Sequence, residues 1–321
     1  MNNSIVRIRF EWFEPWFDKE KNFFLDRFTE EGYKIVVIED KKSEVDIEFI
    51  GVYPPLKRDI QARIHRWRTR LPVWQRDTTE TYPLEFGPET KNSKKRVWIT
   101  FENIRPPFQD DLDLTFSYDQ DSLGGRNFYL PLWQIHLEHQ RKFGKPLNPN
   151  SSLGHEILSE TLVNSRAINL ERFRNRKFAC AFLANPQPTR LRLIEELSKF
   201  GTVDVFGAKS GRPVPNKYEV AKEYNFFICP ENDLYPGYVT EKLLDAYMCE
   251  TVPIYWGDLG SDQHINRKSF LNLRDFDSIN NFSEHIAKLD FDDYNAIYEQ
   301  PFLIKRVDFN LINKKLVSMI K

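Results

Sequence analysis

Short apolar runs alternate with amphipathic stretches along the first half of the chain. Residues 5–10 alternate branched or aromatic side chains with arginine, which predicts a β-strand. Residues 19–31 show helical signals and end near a glycine, which predicts a helix. Further strands are predicted in segments rich in β-branched and aromatic residues: 33–39, 45–51, 96–103 and 113–119. Strands separated by helices predict a mostly parallel sheet covered on both faces.

The second half repeats this alternation after a predicted helix at residues 130–144. Thr189 or a neighbour is expected to begin a helix that Gly201 stops, and Thr240 is expected to be the N-cap of another. The predicted strands are 177–185, 202–207, 224–232 and 251–258, and the predicted helices are 190–200, 239–250 and 279–289. The pattern therefore predicts two consecutive α/β domains with a cleft between them.

A segment rich in Pro, Asn, Ser and Gly, residues 145–154, predicts a loop or a break between the domains. We place the boundary between this segment and about residue 165. The predicted organisation is an N-terminal domain, a C-terminal domain and a C-terminal helical tail, at residues 1–160, 161–300 and 301–321.

Composition narrows the class of protein. The 321 residues carry 46 Lys and Arg against 47 Asp and Glu, so no overall positive charge favours nucleic acid. The start of the sequence does not resemble a signal peptide, and no run of about 18 apolar residues predicts a membrane span. The 3 cysteines lie in apolar segments, which is typical of reduced core thiols. We therefore expect a cytoplasmic protein.

The most informative segment is residues 224–258, where a predicted strand leads through a loop into a predicted helix. In open α/β sheets, ligands bind beyond the carboxyl ends of the strands, beside helix N-termini. Lys242 in the first helical turn opposes the helix macrodipole, whereas Glu241 beside it offsets that cost. A bound phosphate would favour both the lysine and the helix N-terminus. A solvated lysine next to an ordinary glutamate is the alternative interpretation.

This segment resembles the donor-binding motif of family-10 glycosyltransferases, the α-1,3/4-fucosyltransferases, in their bacterial form. The resemblance lies in the sequences PEN, GYVTEKLLDAY and TVPIYWGD. The chain departs from that motif at Pro230, where the family usually has Phe, and in the loop DLYPG. RVWITFEN, LTFSYDQDS and FACAFLANPQPTRLRLIEEL resemble three further family segments, although an arginine pair is missing from the second. The resemblance covers most of the chain from about residue 96 to 276.

The resemblance implies a GT-B fold, in which two Rossmann-like domains face a cleft and the C-terminal domain binds GDP-fucose. It implies an inverting transfer of L-fucose that needs a general base and positive charge on the departing diphosphate. Glu102 is the candidate base, although most strand-end carboxylates are structural, and Glu241 is a second candidate catalytic residue. The candidate donor-binding residues are Arg190, Asn232, Tyr238, Glu241 and Lys242. Arg192 is the alternative to Arg190 if the alignment is shifted.

Closely spaced aspartates also suggest a metal site, because many transferases hold a metal on the diphosphate. Asp110, Asp111 and Asp113, and Asp119 with Asp121, have such spacing. They fall in the predicted acceptor half, so we interpret them as loop carboxylates and predict no metal ligand. Because Arg190 and Lys242 supply positive charge, we expect no obligatory metal and leave stimulation by Mn²⁺ open.

The expected acceptor is a glycan that contains N-acetylglucosamine, of lactosamine type or part of a lipopolysaccharide. The basic run at residues 63–70 and the apolar stripe of the C-terminal helix leave open a peripheral contact at the inner face of the membrane. More often such a helix packs back on the fold. Two other functions remain open: transfer of another GDP-deoxysugar to a surface polysaccharide, and glycan binding without catalysis.

Overall fold

A computed structural model describes residues 4–14, 16–53, 92–102, 112–144, 147, 161–183 and 186–321. Contacts divide the chain into two compact units. The first unit comprises Met1–Pro131 and Asp308–Lys321, and the second comprises Leu132–Val307. The proposed boundary near residue 160 therefore differs from the contact-based division, because the helix predicted at 130–144 packs with the second unit.

The first unit contains a six-stranded sheet in the order β2-β1-β3-β4-β5-β6, and every neighbouring pair is parallel. The strands are β1 Ile5–Glu11, β2 Lys34–Val37, β3 Val45–Ile50, β4 Ser93–Ile99, β5 Leu114–Ser117 and β6 Asn127–Tyr129. In β3, Ile47, Phe49 and Ile50 are fully buried. Successive side chains of a strand point to opposite faces, so burial of both Phe49 and Ile50 shows that the sheet is covered on both faces.

The last helix of the chain belongs to the first unit. Helix α1, Phe23–Glu30, is capped by Asn22, whose side chain accepts hydrogen bonds from two backbone N–H groups of the first turn. The last helix, Asn310–Ser318, contacts α1, and its residues Ile312, Leu316 and Val317 are buried. The buried apolar stripe of this helix therefore packs back on the fold.

The second unit contains a five-stranded parallel sheet in the order β11-β10-β9-β7-β8. Its strands are β7 Lys177–Phe182, β8 Val203–Phe206, β9 Tyr224–Ile228, β10 Val252–Tyr255 and β11 Leu271–Asn272. Its helices are α2 Leu132–Phe143, α3 Leu170–Asn175, α4 Pro188–Leu197, α5 Lys217–Ala221, α6 Glu241–Met248, α7 Ile279–Lys288 and α8 Phe291–Tyr298, so the last helix of the chain is α9.

Several local predictions need correction. The helix start predicted at Thr189 or a neighbour lies at Gln187, which caps α4, because its side-chain oxygen accepts a hydrogen bond from the backbone N–H of Arg190. Thr240 lies at the N-cap position of α6 but makes no side-chain capping bond. Strand β6 was not predicted, because three residues after a turn through Gly124 and Gly125 are too short to show a period.

Among the residues that the structure describes, no helix is both long enough and apolar enough to cross a membrane.

Candidate functional site

The loop after β9 is attached to the end of β10 by backbone hydrogen bonds. The N–H of Glu231 donates to the carbonyl of Trp256 at 2.9 Å, and that of Gly237 donates to the carbonyl of Asp258 at 2.9 Å. Gly237 has a φ of 85°, a conformation that costs glycine little. The loop is thereby fixed at the carboxyl edge of the sheet, where α6 begins at Glu241.

Glu231 is a fully buried carboxylate that organises this edge. Its Oε1 accepts hydrogen bonds from the backbone N–H of Thr240 at 2.8 Å and from the hydroxyl of Tyr255 at 3.2 Å. Its Oε2 accepts one from the hydroxyl of Thr240 at 2.7 Å. Burial raises the pKa of Glu231, although the positive charge of Lys242 acts against that shift. The side chain of Glu231 therefore fixes the N-cap residue Thr240 and leaves the N–H groups of the first turn of α6 without a side-chain cap.

Lys242 lies over the first turn of α6 with carboxylates on two sides. Its Nζ donates to Oγ1 of Thr240 at 2.9 Å and lies 3.5 Å from Oε2 of Glu231 and 3.6 Å from Oε1 of Glu241. These contacts offset the unfavourable interaction of a cation with the helix N-terminus. They also hold the ammonium group at the position where the backbone N–H groups of the first turn favour an anion.

Arg190 lies at the start of α4 and is buried. Its Nη2 donates to the carbonyl oxygen of Pro230 at 2.7 Å, so the guanidinium binds the residue directly before Glu231. Burial lowers the pKa of Arg190, whereas the negative charge of Glu231 acts to raise it. Arg192, the alternative ligand, is exposed. The structure thus brings Arg190, and not Arg192, to the loop that carries the motif.

The remaining motif residues lie on the same segment. Tyr238 is buried and Asn232 is half-buried in the loop before α6. Glu241, the first residue of α6, has its pKa lowered overall: burial acts to raise it, and the positive charge of Lys242 acts to lower it. Gly257 leaves room for the Tyr255 hydroxyl that bonds Glu231, because an added Cβ at position 257 would lie 2.2 Å from that oxygen.

A second charged cluster lies one turn further along α6. Asp245 is buried, with Nζ of Lys217 at 2.8 Å from its Oδ2 and Nε2 of His136 at 3.5 Å from its Oδ1. Burial alone would raise the pKa of Asp245, but the charge of Lys217 and the proximity of His136 hold it well below its ordinary value. Asp245, Lys217 and His136 were not among the predicted site residues, and the four-residue spacing of Glu241 and Asp245 was the available signal.

Glu102, the candidate base, lies in the first unit, just beyond the carboxyl end of β4. Its Oε1 accepts a hydrogen bond from the hydroxyl of Tyr53 at 2.5 Å. Its backbone N–H donates to Oγ1 of Thr100 at 3.2 Å, and the same hydroxyl donates to the Glu102 carbonyl at 3.0 Å. The residue is half-buried.

The closely spaced aspartates make loop contacts. Oδ1 of Asp119 accepts a hydrogen bond from the backbone N–H of Asp121, and Oδ1 of Asp121 accepts one from that of Leu123. Asp110 and Asp111 lie outside the described residues. Within the part of the chain that the structure describes, no group of three or more His, Cys, Asp or Glu side chains is arranged to hold a metal ion.

The segment that carries this site matches a known protein family. Residues 173–306 match the model of the C-terminal domain of glycosyltransferase family 10 (fucosyltransferase). The chain is also 30% identical over 254 residues, 71% of its length, to alpha-(1,3)-fucosyltransferase FucT of Helicobacter pylori. The chain belongs to glycosyltransferase family 10. The matched family domain contains Arg190, Glu231 and Lys242, so the site described above lies within it.

A second relative of this family-10 chain is 3-galactosyl-N-acetylglucosaminide 4-alpha-L-fucosyltransferase FUT3 of Homo sapiens, 31% identical over 220 residues, 64% of this chain. The chain spans about half the length of these two relatives, 52% and 53%. A solved alpha1,3-fucosyltransferase with GDP-fucose matches with a TM-score of 0.69 and 21% identity, over 100% of this chain and 92% of that one. Together with the two parallel sheets, this match confirms the GT-B fold with two Rossmann-like domains.

Proposed function

We propose that this protein is an inverting α-1,3-fucosyltransferase that transfers L-fucose from GDP-fucose to a hydroxyl of an N-acetylglucosamine-containing glycan. The observation that carries the proposal is the start of α6, where Lys242 is held over a helix N-terminus inside a family-10 C-terminal domain. A helix N-terminus and a cation at one position form a binding site for a diphosphate. The second unit is therefore the donor domain in this proposal, and the first unit is the acceptor domain.

The donor residues have separate parts in the reaction. Lys242 and Arg190 stabilise the negative charge that develops on the GDP leaving group as the bond to fucose breaks. Glu231 holds Lys242 in place before the donor binds, so less ordering is needed at that moment. Asn232, Tyr238 and Glu241 contact ribose, phosphate or fucose. Positive charge from the protein makes a metal dispensable for this step, and the response to chelation tests that view.

Glu102 is the general base. It takes the proton from the acceptor hydroxyl while that oxygen attacks the anomeric carbon of fucose and GDP departs. A single displacement converts the β-linked donor into an α-linked product. Glu102 is half-buried and lies just beyond the carboxyl end of β4. This position suits a general base, because ligands of parallel sheets bind beyond the carboxyl ends of the strands.

The acceptor class is supported by the names of the relatives. The human relative and a mouse relative, 27% identical over 110 residues, are both named for galactosyl-N-acetylglucosaminide acceptors. In the same proposal the enzyme is cytoplasmic, where its 3 buried free cysteines stay reduced. Lactosamine and a lipopolysaccharide core that contains N-acetylglucosamine are the two acceptors to compare.

The experiment is a transfer assay with the full chain, GDP-fucose and lactosamine, with GDP release and the fucosylated product both measured. We expect transfer that persists with a chelator and falls by about 100-fold or more in Glu102→Gln, because general base catalysis typically contributes that much. Glu39→Gln is the matched control, since Glu39 lies in the same unit and is exposed. Absence of transfer to both acceptors, or full activity of Glu102→Gln, would refute the proposal. GDP binding without transfer would instead favour another GDP-sugar.

A further inference from the structure

Three segments of the first unit meet beside Glu102. Glu14 follows β1, Tyr53 follows β3 and Glu102 follows β4, and these strands are neighbours in the order β1-β3-β4. The segments around them line a pocket whose walls are mainly aromatic side chains and include Glu14 and Tyr53. The hydroxyl of Tyr53 therefore lies at the carboxyl edge of the sheet, where the described residues place it beside apolar side chains and the carboxylates of Glu14 and Glu102.

The backbone fixes the position of Tyr53. Its N–H donates to the carbonyl oxygen of Trp12 at 2.8 Å, and the N–H of Gly51 donates to the carbonyl of Glu11 at 2.9 Å. The segments approach closely at Gly51, where an added Cβ would lie 2.5 Å from the carbonyl oxygen of Trp12. The phenol ring thus extends from a segment whose backbone is hydrogen-bonded to the end of β1 and the residue that follows it.

Both the backbone and the carboxylate of Glu102 make hydrogen bonds. Thr100 bonds its backbone N–H and carbonyl, and Tyr53 donates to Oε1 of its carboxylate at 2.5 Å. A bond from a neutral donor to one carboxylate oxygen restricts the side-chain torsions and leaves lone pairs on the other oxygen to receive a proton. Fixed orientation matters for a base, because small displacements from the reacting proton greatly slow the transfer.

The phenol of Tyr53 stays protonated at neutral pH. Burial raises the pKa of Tyr53 far above its ordinary value, and the negative charges of Glu102 and Glu14 raise it further. Glu14 and Glu102 are the titratable groups among the described residues that act on this phenol. The phenol is therefore protonated at neutral pH and donates its hydrogen bond to Glu102.

We propose that Tyr53 is a positioning residue that orients the carboxylate of Glu102 toward the acceptor hydroxyl. The inference rests on the proposed function of Glu102 as the base. In the reaction the acceptor hydroxyl gives its proton to Oε2 of Glu102, while the Tyr53 proton stays on the bond to Oε1. The new bond forms between the acceptor oxygen and the anomeric carbon, and the bond from that carbon to GDP breaks.

The kinetic test compares Tyr53→Phe with Tyr33→Phe. Tyr33 is a buried tyrosine of the same unit whose ring packs against Phe28, so it reports the general cost of removing a phenol hydroxyl. We expect Tyr53→Phe to lower kcat for fucose transfer about 10- to 100-fold, which is the effect of one hydrogen bond to a charged group. KM for GDP-fucose and the unfolding midpoint should stay equal to those of Tyr33→Phe. A kcat within twofold of the control would overturn the proposal, and so would a loss of kcat that follows a loss of stability.

A spectroscopic test needs neither activity nor Tyr53→Phe. 3-Fluorotyrosine is placed at position 53 and its ¹⁹F resonance is recorded in the otherwise unchanged chain, in Glu102→Gln and in Glu39→Gln. We expect the resonance to move in Glu102→Gln and to stay in place in Glu39→Gln, because Glu102 accepts a hydrogen bond from the phenol and exposed Glu39 does not contact it. An unmoved resonance overturns the contact and the proposal while leaving the transferase function intact. A moved resonance in a protein that transfers no fucose shows that the proposed function has failed, and the positioning role with it.

Discussion

The substitution Asp245→Asn tests how much a buried ion pair contributes to the stability of the second unit. Asp245 is 1% exposed and lies between Lys217 and His136. Its lowered pKa means that the folded protein favours the ionised carboxylate despite the cost of burial. Asparagine keeps the shape of the side chain but removes the charge, and its NH₂ group would face either Lys217 or His136 as a second donor.

The magnitude follows from burial. Removing one partner of a buried ion pair costs about 3–5 kcal/mol, because the other charge is left uncompensated. Lys217 is 18% exposed, so water screens part of its charge. We therefore expect the lower end of that range, about 3 kcal/mol. At about 2–4 °C for each kcal/mol, the unfolding midpoint of the second unit should fall by roughly 6–12 °C.

The assay is differential scanning calorimetry with and without GDP, which identifies the transition of the unit that binds it. Asp46→Asn is the matched control, because Lys94 lies 2.8 Å from Asp46, the same distance as Lys217 from Asp245. The side chains of Lys94 and Asp46 are 60% and 20% exposed, so we expect no measurable change. Equal effects of the two substitutions would refute the argument that burial, and not distance, sets the contribution.

The pH dependence supplies a second criterion. A carboxylate whose folded pKa is lowered contributes stability above its unfolded pKa and loses it as pH falls through the folded value. The difference in midpoint between the unsubstituted protein and Asp245→Asn should be constant near neutral pH and begin to narrow below about pH 4. A difference that widens toward acid pH would contradict the lowered pKa.

Two further predictions concern the donor loop. Arg190→Lys should raise the Kd for GDP about tenfold or more in isothermal titration calorimetry, because lysine cannot reproduce the guanidinium geometry, whereas exposed Arg192→Lys should not change it. Equal Kd values would contradict the assignment. Gly257→Ala should destabilise the second unit by about 1–3 kcal/mol in thermal unfolding, because the methyl group would overlap the Tyr255 ring. An unfolding midpoint of Gly257→Ala equal to that of the unsubstituted protein would refute the steric argument.

The hydrophobic pattern was sufficient for most of the elements. Strands β1 and β9 and helices α1 and α7 coincide with predicted segments within a few residues, because one buried face imposes a regular spacing on the local sequence. The resemblance supplied the motif positions and the GT-B fold. The roles of Glu102 and of the other candidate site residues stay predictions, to be tested by the transfer and binding assays above.

The tertiary structure decided which charges meet. Glu231 bonds Thr240 nine positions away, Lys217 lies 28 positions from Asp245, and Tyr53 lies 49 positions from Glu102. No local spacing encodes these partners, because the order of the parallel strands determines which carboxyl ends become neighbours. The sequence by itself therefore determined the elements and the residues that carry charge. Packing of the sheets and helices determined which of those charges are buried, which are paired, and that α9 joins the first unit.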